Sequence, residues 1–252
     1  MHSKGNTMKA MIFAAGMGTR LRPLTDRIPK ALIPVGGVPM LDLLVRRLAH
    51  AGVSDIVINV HHHADLMKKH IKTLQNDVKP NLWVSDETES LLDTGGGIKK
   101  AASFFSDCCD PFLVHNVDIL SNVKLDTFMT QSKGYDAALL VSQRDTFRYL
   151  LFDQDNRLVG WINEKTGEIK SPYPDLDPNQ CQKLAFSGIH AFSPKLFRLM
   201  ESWPEKFSII DFYLSVCDKV SVYGICQPGL KLMDIGKPET LSLAGDFLKD
   251  IM

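Results

Sequence analysis

The alternation of apolar and amphipathic segments is the feature that most limits the folds open to this chain. It extends from Lys9 to Ser142. The first apolar run, KAMIFAA, stops at Gly16, as a central strand buried on both faces would. The segment from Met40 carries apolar residues at helical spacing and stops at Gly52. Strands alternating with helices of about 10 to 15 residues indicate βαβ units. We therefore predict a mixed, mostly parallel α/β sheet with helices on both faces.

The rest of the chain extends this pattern and then changes it. Up to Ser142 the segments are the strand DIVINV, the helix ADLMKKHIKTL, the strand NLWVS, the helix GGIKKAASFF, the strand PFLVHNVDIL, the helix KLDTFMTQ and the strand DAALLVS. Beyond it, YLLFDQDNRLVGWIN has two alternating runs around turn residues, which predicts an antiparallel hairpin. The last segments are the strand KLAFSGIHAF, helices around Leu196 and Ile210, the strands VSVYGI and LKLMDI and a helix from Pro238.

Nothing in the sequence marks an internal domain boundary. No proline- or serine-rich linker, hexapeptide repeat or heptad run is present. We predict one Rossmann-like domain over residues 8–252. Met8 can serve as the natural start, so residues 1–7 are interpreted as a leader or a cloning remnant.

Charge and cysteine content exclude several classes of protein. Lysine plus arginine and aspartate plus glutamate both number 29 in 252 residues, so no overall basic field is available to hold nucleic acid. The five cysteines lack the spacing of a zinc site and the density of a secreted disulfide framework. No apolar stretch approaches the roughly 18 residues of a membrane span. We predict a cytoplasmic protein with reduced thiols and with no nucleic-acid or membrane partner.

Positive charge is concentrated in the opening segment. In the first thirty residues, Asp26 is the only acidic residue, against Lys4, Lys9, Arg20, Arg22, Arg27 and Lys30. The stretch GMGTRLRPLTDRIPK directly follows the first strand and predicts a long loop. Gly16 and Gly18 let backbone N–H groups approach phosphate oxygens, while Arg20 and Lys30 supply charge. The pattern predicts a phosphate-binding loop at the carboxyl edge of the sheet.

Two common phosphate motifs do not fit this loop. A dinucleotide fingerprint needs GxGxxG opening a helix, but Leu21 stands where the third glycine belongs and Pro23 follows. A Walker loop needs GxxxxGK[ST], which occurs nowhere in the chain. The missing glycine also argues against a nicotinamide-dependent oxidoreductase on a similar sheet.

The longer string AAGMGTRLRPLTDRIPKALIPVGGVPML resembles the signature of sugar-1-phosphate nucleotidyltransferases at nearly every defined position. The resemblance continues through most of the chain. The segments LLDTGGGIKKA and AFSGIHAFSP are most similar to the branch that contains N-acetylmuramate 1-phosphate uridylyltransferase, followed by the mannose-1-phosphate guanylyltransferases. The resemblance implies a fold of the nucleotide-diphospho-sugar transferase type. It also implies transfer of a nucleoside monophosphate from an NTP to a sugar 1-phosphate, with release of pyrophosphate.

Such a reaction needs charge neutralisation rather than an enzyme nucleophile. Mg²⁺ bound by one or two carboxylates supplies part of that charge. Asp118 follows the apolar run PFLVHNV, and Asp234 follows another in LKLM, so both lie at strand ends. By the resemblance they match the two metal aspartates of the family. As isolated residues, either could equally cap a turn.

The resemblance assigns the remaining site residues by position. It places Arg20 on the β and γ phosphates of the NTP and Lys30, with Asp118, at the reacting centre. Glu164 and Lys165 match an EK pair that contacts the sugar and its phosphate. The other matched positions are Ala15, Gly16, Gly18, Thr19, Thr94 and Gly95 for the nucleotide, and Ser187 and Gly188 for the sugar.

Two departures from the family pattern leave alternatives open. Val117 replaces the glycine before the metal aspartate, and Thr166 replaces the proline after the EK pair. A catalytically silent nucleotide-sugar sensor therefore stands beside the enzyme as a hypothesis. Base choice is expected to lie in the acidic loop SDETESLLDT, which does not separate UTP from GTP. The motifs favour UTP and N-acetylmuramate 1-phosphate. The oligomeric state is expected to be a monomer or a homodimer.

Overall fold

A computed structural model describes residues 8–251, so the interpretation of residues 1–7 lies outside the described part. Within that part the chain forms fourteen strands and seven α-helices. The strands are β1 (Met8–Phe13), β2 (Pro34–Val35), β3 (Val38–Pro39), β4 (Val53–Val60), β5 (Asn81–Asp86), β6 (Phe112–Asn116), β7 (Ile119–Ser121), β8 (Ala137–Ser142), β9 (Arg148–Phe152), β10 (Leu158–Asn163), β11 (Glu168–Lys170), β12 (Gln182–Phe192), β13 (Val222–Cys226) and β14 (Leu232–Asp234). The helices are α1 (Met40–His50), α2 (Ala64–Leu74), α3 (Asp93–Lys100), α4 (Leu125–Gln131), α5 (Phe197–Met200), α6 (Ile209–Val216) and α7 (Pro238–Ile251).

Ten of the strands form one twisted mixed sheet. Its main path runs β11-β10-β9-β12-β6-β1-β4-β5, and β8 joins β12 to β13. The strands β5, β4, β1 and β6 are parallel neighbours, as are β8 and β13. Strand β12 is antiparallel to β6, β8 and β9, and it links the parallel part to the predicted hairpin of β9 and β10. The expected α/β architecture is confirmed.

Both faces of the sheet are buried. Successive residues of β1 point to opposite faces. Ala10 and Ile12 pack with α1, α2, α4 and α7, whereas Met11 packs with α3 and α6. All three side chains are fully buried. This two-sided burial explains why the first strand is apolar along its length rather than alternating.

One predicted strand is two strands in the structure. The run PFLVHNVDIL divides into β6 and β7, with Val117 and Asp118 between them. The Val117 N–H still donates to the Phe13 carbonyl oxygen at 3.1 Å, and the chain then leaves the main sheet. Strand β7 pairs instead with β14 in a separate antiparallel ribbon. Asp118 therefore lies in a turn at the carboxyl edge of the sheet.

Smaller differences concern helix limits and short elements. The segment GGIKKAASFF was predicted as one helix, but α3 begins at Asp93, ends at Lys100 and is followed by a 3-10 helix over Ala102–Phe105. The exposed edge strand β11 was not predicted, since three residues carry too little alternation to detect. No α-helix within residues 8–251 combines the length and the hydropathy that crossing a membrane requires.

Two buried histidines make the free energy of unfolding sensitive to acid. His115 and His190 are both almost completely buried. Burial lowers the pKa of each imidazole to about 3, well below its ordinary value. Below about pH 6.5, protons therefore bind these histidines in the unfolded chain but not in the folded one, and this lowers the free energy of unfolding. We expect each histidine to remove about 2 kcal/mol of stability between pH 7 and pH 5.

Urea unfolding at pH 7 and pH 5 tests this expectation. In His190→Phe the loss of unfolding free energy between pH 7 and pH 5 should be smaller by about 2 kcal/mol, the contribution of one histidine. Phenylalanine suits this position because Phe186 and Tyr213 already provide aromatic neighbours for a ring there. The exposed His50 provides a surface variant for comparison, His50→Gln, which replaces a histidine without disturbing the core. Equal acid sensitivity in the wild type and His190→Phe would contradict the assignment.

Candidate active site

A cleft of about 460 Å³ opens at the carboxyl ends of β1 and β6. Its lining includes five of the residues predicted from the sequence, namely Ala15, Gly16, Lys30, Thr94 and Asp118. These residues come from the loop after β1, the turn after β6 and the start of α3. Open parallel sheets bind ligands at this edge. The predicted phosphate loop and one predicted metal aspartate therefore share a single cavity.

An ion pair joins the opening segment to the turn after β6. The Lys30 ammonium group contacts Oδ2 of Asp118, and the side chains are only 12% and 18% exposed. Lys30 begins a short 3-10 helix, Lys30–Leu32, which fixes the direction of its side chain into the cleft. The pair places a cation and a carboxylate where an anionic ligand would enter.

The second predicted aspartate lies beside the first. In the β7–β14 ribbon Asp234 is opposite Ile119, and the Ile235 N–H donates to the Asp118 carbonyl oxygen at 2.8 Å. Arg20 also reaches this point, because a Cβ built on Gly236 would lie 2.5 Å from Arg20 Nη2 and 2.7 Å from Asp234 Oδ1. Arg20 thus lies close to Asp234, and Asp234 adjoins the backbone of Asp118, although the three residues are far apart in the chain. Arg20 and Asp234 themselves lie outside the lining of the cleft.

The aspartate pair fits a divalent cation. Oδ1 of Asp234 is buried and has no hydrogen-bond partner among the described residues, which is costly for a carboxylate oxygen unless a ligand satisfies it. Within residues 8–251 no three metal-binding side chains gather. Two carboxylates suit Mg²⁺, which takes its other ligands from phosphate oxygens and water.

Gly16 and Gly18 of the opening loop have different structural roles. Gly18 has a positive φ of 63°, and a Cβ there would lie 2.7 Å from Thr25 Cγ2 and 3.1 Å from Lys30 Cβ. A side chain at Gly18 would therefore overlap Thr25 and crowd the base of the Lys30 side chain. Gly16 faces open space, as a close ligand approach requires. Thr19 begins the first of three 3-10 helices in a segment predicted to lack regular structure.

Asn59 positions the start of this loop and was missed by the sequence analysis. Its Oδ1 accepts the N–H groups of Ala14 at 2.7 Å and Ala15 at 3.1 Å. Its amide group donates to Glu87 Oε1 at 2.8 Å. The signal that the sequence offered was the position of Asn59, a polar residue near the end of the apolar strand β4. The Ala15 N–H is thereby engaged within the protein, and Ala15 lies on the cleft wall. Its contact with a nucleotide stays a prediction.

Glu87 also lines the cleft, but both of its carboxylate oxygens are engaged within the protein. It was one of the acidic residues expected to influence base choice. Its side chain is buried against Asn59, and Oε2 also accepts the Leu92 N–H at 3.2 Å. Burial raises the pKa of the Glu87 carboxyl group. In the same loop, Asp86 pairs with Lys68 at 2.7 Å, whereas Asp93 lines the cleft.

The glycine run of α3 packs against the segment before α6. The Gly95 N–H donates to the Phe207 carbonyl oxygen at 2.8 Å, and a Cβ on Gly95 would overlap the Phe207 ring. Thr94 lines the cleft while its Oγ1 accepts the Ile209 N–H at 2.9 Å. Close packing thus requires glycine at position 95. Nucleotide contact by Thr94 and Gly95 stays a prediction.

The four predicted sugar residues lie outside the lining of the cleft. Glu164 pairs with Lys183 at 2.9 Å, and Lys165 is exposed in the turn after β10. Ser187 is buried, and its hydroxyl has no partner among the described residues. Gly188 has a φ of 72° and packs behind the cleft wall. Their contact with a sugar stays a prediction.

Two cleft residues complete the site. Val117, which departs from the family pattern, is 5% exposed and packs into the core while forming part of the wall. Lys206, from the segment before α6, adds a second cation to the lining. No sequence signal identified Lys206, because only the folded chain brings that segment to β6.

Known proteins resemble this chain along most of its length. The family model described as Nucleotidyl transferase matches residues 9–250. The N-acetylmuramate alpha-1-phosphate uridylyltransferase of Caulobacter vibrioides is 29% identical, over 91% of this chain and 92% of that protein. The mannose-1-phosphate guanyltransferase of Saccharomyces cerevisiae is also 29% identical, over 92% of this chain but 62% of that protein.

Solved structures show the same fold. HddC from Yersinia pseudotuberculosis complexed with GMP-PN superposes with a TM-score of 0.74 at 24% identity, covering 96% of this chain and 99% of that one. The inositol-1-phosphate CTP transferase from T. maritima gives a TM-score of 0.75 at 20% identity, covering 98% and 97%. At these identities the likeness concerns architecture.

Proposed function

Because this chain belongs to the nucleotidyl transferase family of sugar-1-phosphate nucleotidyltransferases, we propose that it transfers uridylate from UTP to N-acetylmuramate 1-phosphate. The products would be a UDP-sugar and pyrophosphate. The ion pair of Lys30 and Asp118 in the cleft, with Asp234 and Arg20 next to the turn that holds Asp118, carries the proposal. The choice of UTP and of this sugar is supported by the relative from Caulobacter vibrioides.

The proposed reaction is an in-line displacement at the α-phosphorus. An oxygen of the sugar phosphate forms the new bond to phosphorus, and the bond to the pyrophosphate oxygen breaks. The protein holds two polyanions together, which offsets the entropy of their encounter. Lys30 would contact the phosphates at the reacting centre, and Arg20 would hold the β and γ phosphates.

Asp118 and Asp234 would hold the Mg²⁺ ion. When bound, this ion neutralises charge on the α-phosphate and the departing pyrophosphate. The ion pair with Lys30 keeps the Asp118 carboxylate aimed into the cleft. Gly18 maintains this arrangement, because it leaves room for the Lys30 side chain.

Pyrophosphate release from a matrix of substrates tests the proposal. The nucleotides are UTP, GTP, CTP, ATP and dTTP, and the acceptors are the 1-phosphates of N-acetylmuramate, mannose, glucose and N-acetylglucosamine. We expect the highest rate with UTP and N-acetylmuramate 1-phosphate, and loss of release when EDTA removes the metal.

Two other outcomes would overturn this assignment. The highest rate with GTP and mannose 1-phosphate would favour a guanylyltransferase, which several relatives are. Tight binding of a nucleotide sugar without turnover on any pair would favour the silent sensor suggested by Val117 and Thr166. The single domain over residues 8–252, the cytoplasmic location and the monomeric or homodimeric state remain predictions.

A further inference from the structure

A second cavity of about 530 Å³ lies between α6 and one face of the β9–β11 ribbon. Directly opposite residues of antiparallel strands share a face. Arg148 is opposite Asn163, Leu150 is opposite Trp161, and all four line the cavity. Lys170, opposite Trp161 on the other side, extends the same face. One wall of the cavity is therefore a regular sheet surface, while Arg144, Thr146 and Ser208 come from loops.

This cavity borders the candidate active site. Phe186 lines it, and two residues later Gly188 packs against Asn116 of the active-site cleft, where a Cβ on Gly188 would lie 2.8 Å from Asn116 Nδ2. Ser208 lines the second cavity and Lys206 lines the cleft. The chain segments 186–188 and 206–208 thus each run from the second cavity to the wall of the cleft.

The lining of the cavity carries one positive charge in excess, since three cations, Arg144, Arg148 and Lys170, face two carboxylates, Glu168 and Asp211. Lys170 is neutralised by Asp211 at 3.0 Å and Glu168 at 3.9 Å, and its ammonium group lies 5.3 Å from the Trp161 ring centre. Arg144 donates to the Phe186 carbonyl oxygen at 3.0 Å. Among the described residues, neither Arg144 nor Arg148 pairs with a carboxylate.

We propose that Arg144 and Arg148 bind a carboxylate on the acceptor, so that this enzyme selects an acidic sugar 1-phosphate. The inference rests on the proposed function. The acceptor phosphate must meet Lys30 and Asp118 in the cleft, so an anionic group that reaches the second cavity is a different group of the same molecule. Guanidinium groups match the planar geometry of a carboxylate. The Trp161 and Phe186 rings offer apolar surface to the sugar ring.

Matched pairs of acceptors test this selectivity. N-acetylmuramate 1-phosphate differs from N-acetylglucosamine 1-phosphate by a carboxylate-bearing lactyl ether, and glucuronate 1-phosphate differs from glucose 1-phosphate by a carboxylate. Steady-state kinetics with UTP and with GTP give kcat/KM for each acceptor. In R144Q/R148Q the acidic-over-neutral ratio should fall roughly 10- to 100-fold. The exposed Arg198 on α5 gives a matched control, R198Q, in which the ratio should stay at its wild-type value.

Calorimetry with the same four sugar phosphates separates this inference from the proposed function. Weaker binding of an acidic sugar phosphate by R144Q/R148Q, relative to its neutral partner, supports the carboxylate site even if no acceptor is turned over. Absence of turnover on every acceptor would overturn the proposed function alone. Equal kcat/KM and equal binding for both members of each pair, or an equal loss on both in the double variant, would overturn the assignment to Arg144 and Arg148.

Discussion

Asp118→Asn is expected to lower kcat/KM roughly 10³-fold under conditions in which the wild type releases pyrophosphate. The change removes one of two carboxylates proposed to hold Mg²⁺. It also removes the partner of Lys30, whose ammonium group would no longer be aimed by an opposite charge. The amide has nearly the same shape as the carboxylate, so the effect isolates charge. Pyrophosphate release over a range of NTP and sugar 1-phosphate concentrations measures it.

The matched control is Asp126→Asn, an identical change at an exposed position of α4. Its kcat/KM should stay within about twofold of the wild type, as expected of a surface change away from the site. Circular dichroism and thermal unfolding of both variants show whether the fold is retained. Undiminished pyrophosphate release by a folded Asp118→Asn variant would remove Asp118 from the mechanism.

Gly96→Ala is expected to lower the free energy of unfolding by about 3 kcal/mol. A Cβ at this position would overlap the Glu205 carbonyl oxygen and lie 3.0 Å from Leu92 Cβ. A backbone oxygen cannot move aside as a flexible side chain does. The Gly96 N–H also donates to the Phe207 carbonyl oxygen, so α3 and the segment before α6 would have to separate. For a chain of this length the thermal midpoint should fall by roughly 10 °C.

Gly245→Ala tests the same chemical change in an open setting. Gly245 lies within α7, and a Cβ at this position would have Gly36 N, at 4.0 Å, as its nearest neighbour. Alanine restricts the unfolded chain and favours helix, so we expect a gain of about 0.5 to 1 kcal/mol. Urea denaturation of both variants gives the comparison. A gain in stability for Gly96→Ala would contradict the packing described for α3.

Elements governed by local periodicity were predictable. The segment ADLMKKHIKTL matches α2 (Ala64–Leu74) at both ends, and the predicted hairpin corresponds to β9 and β10. Each element of this kind is fixed by the spacing of apolar residues within its own length. The break between β6 and β7 was not predictable, because Asp118 is held in its turn by the Ile235 N–H from a distant part of the chain.

The residues of the candidate site also fall into two groups, those that could be predicted from the sequence and those that only the structure revealed. Arg20, Lys30, Asp118 and Asp234 were identified from motifs, and the structure brings them together. Asn59 carried only a weak signal, since one polar residue near a strand end has many explanations. The sequence contained no signal for the contact of Gly95 with Phe207, because this contact depends on the position of a segment more than a hundred residues later.

Residue order alone was sufficient for the α/β class and the family, and it was sufficient to predict a phosphate loop with its charged groups, because these depend on local periodicity, local charge and a contiguous motif. Tertiary structure decided that Glu87 is buried against Asn59, that Asp234 lies beside Asp118, and that Arg148 shares a cavity with Trp161. Contacts of this kind depend on strand register and on the packing of distant segments. Both are set by the burial of the whole sheet rather than by any one stretch of chain.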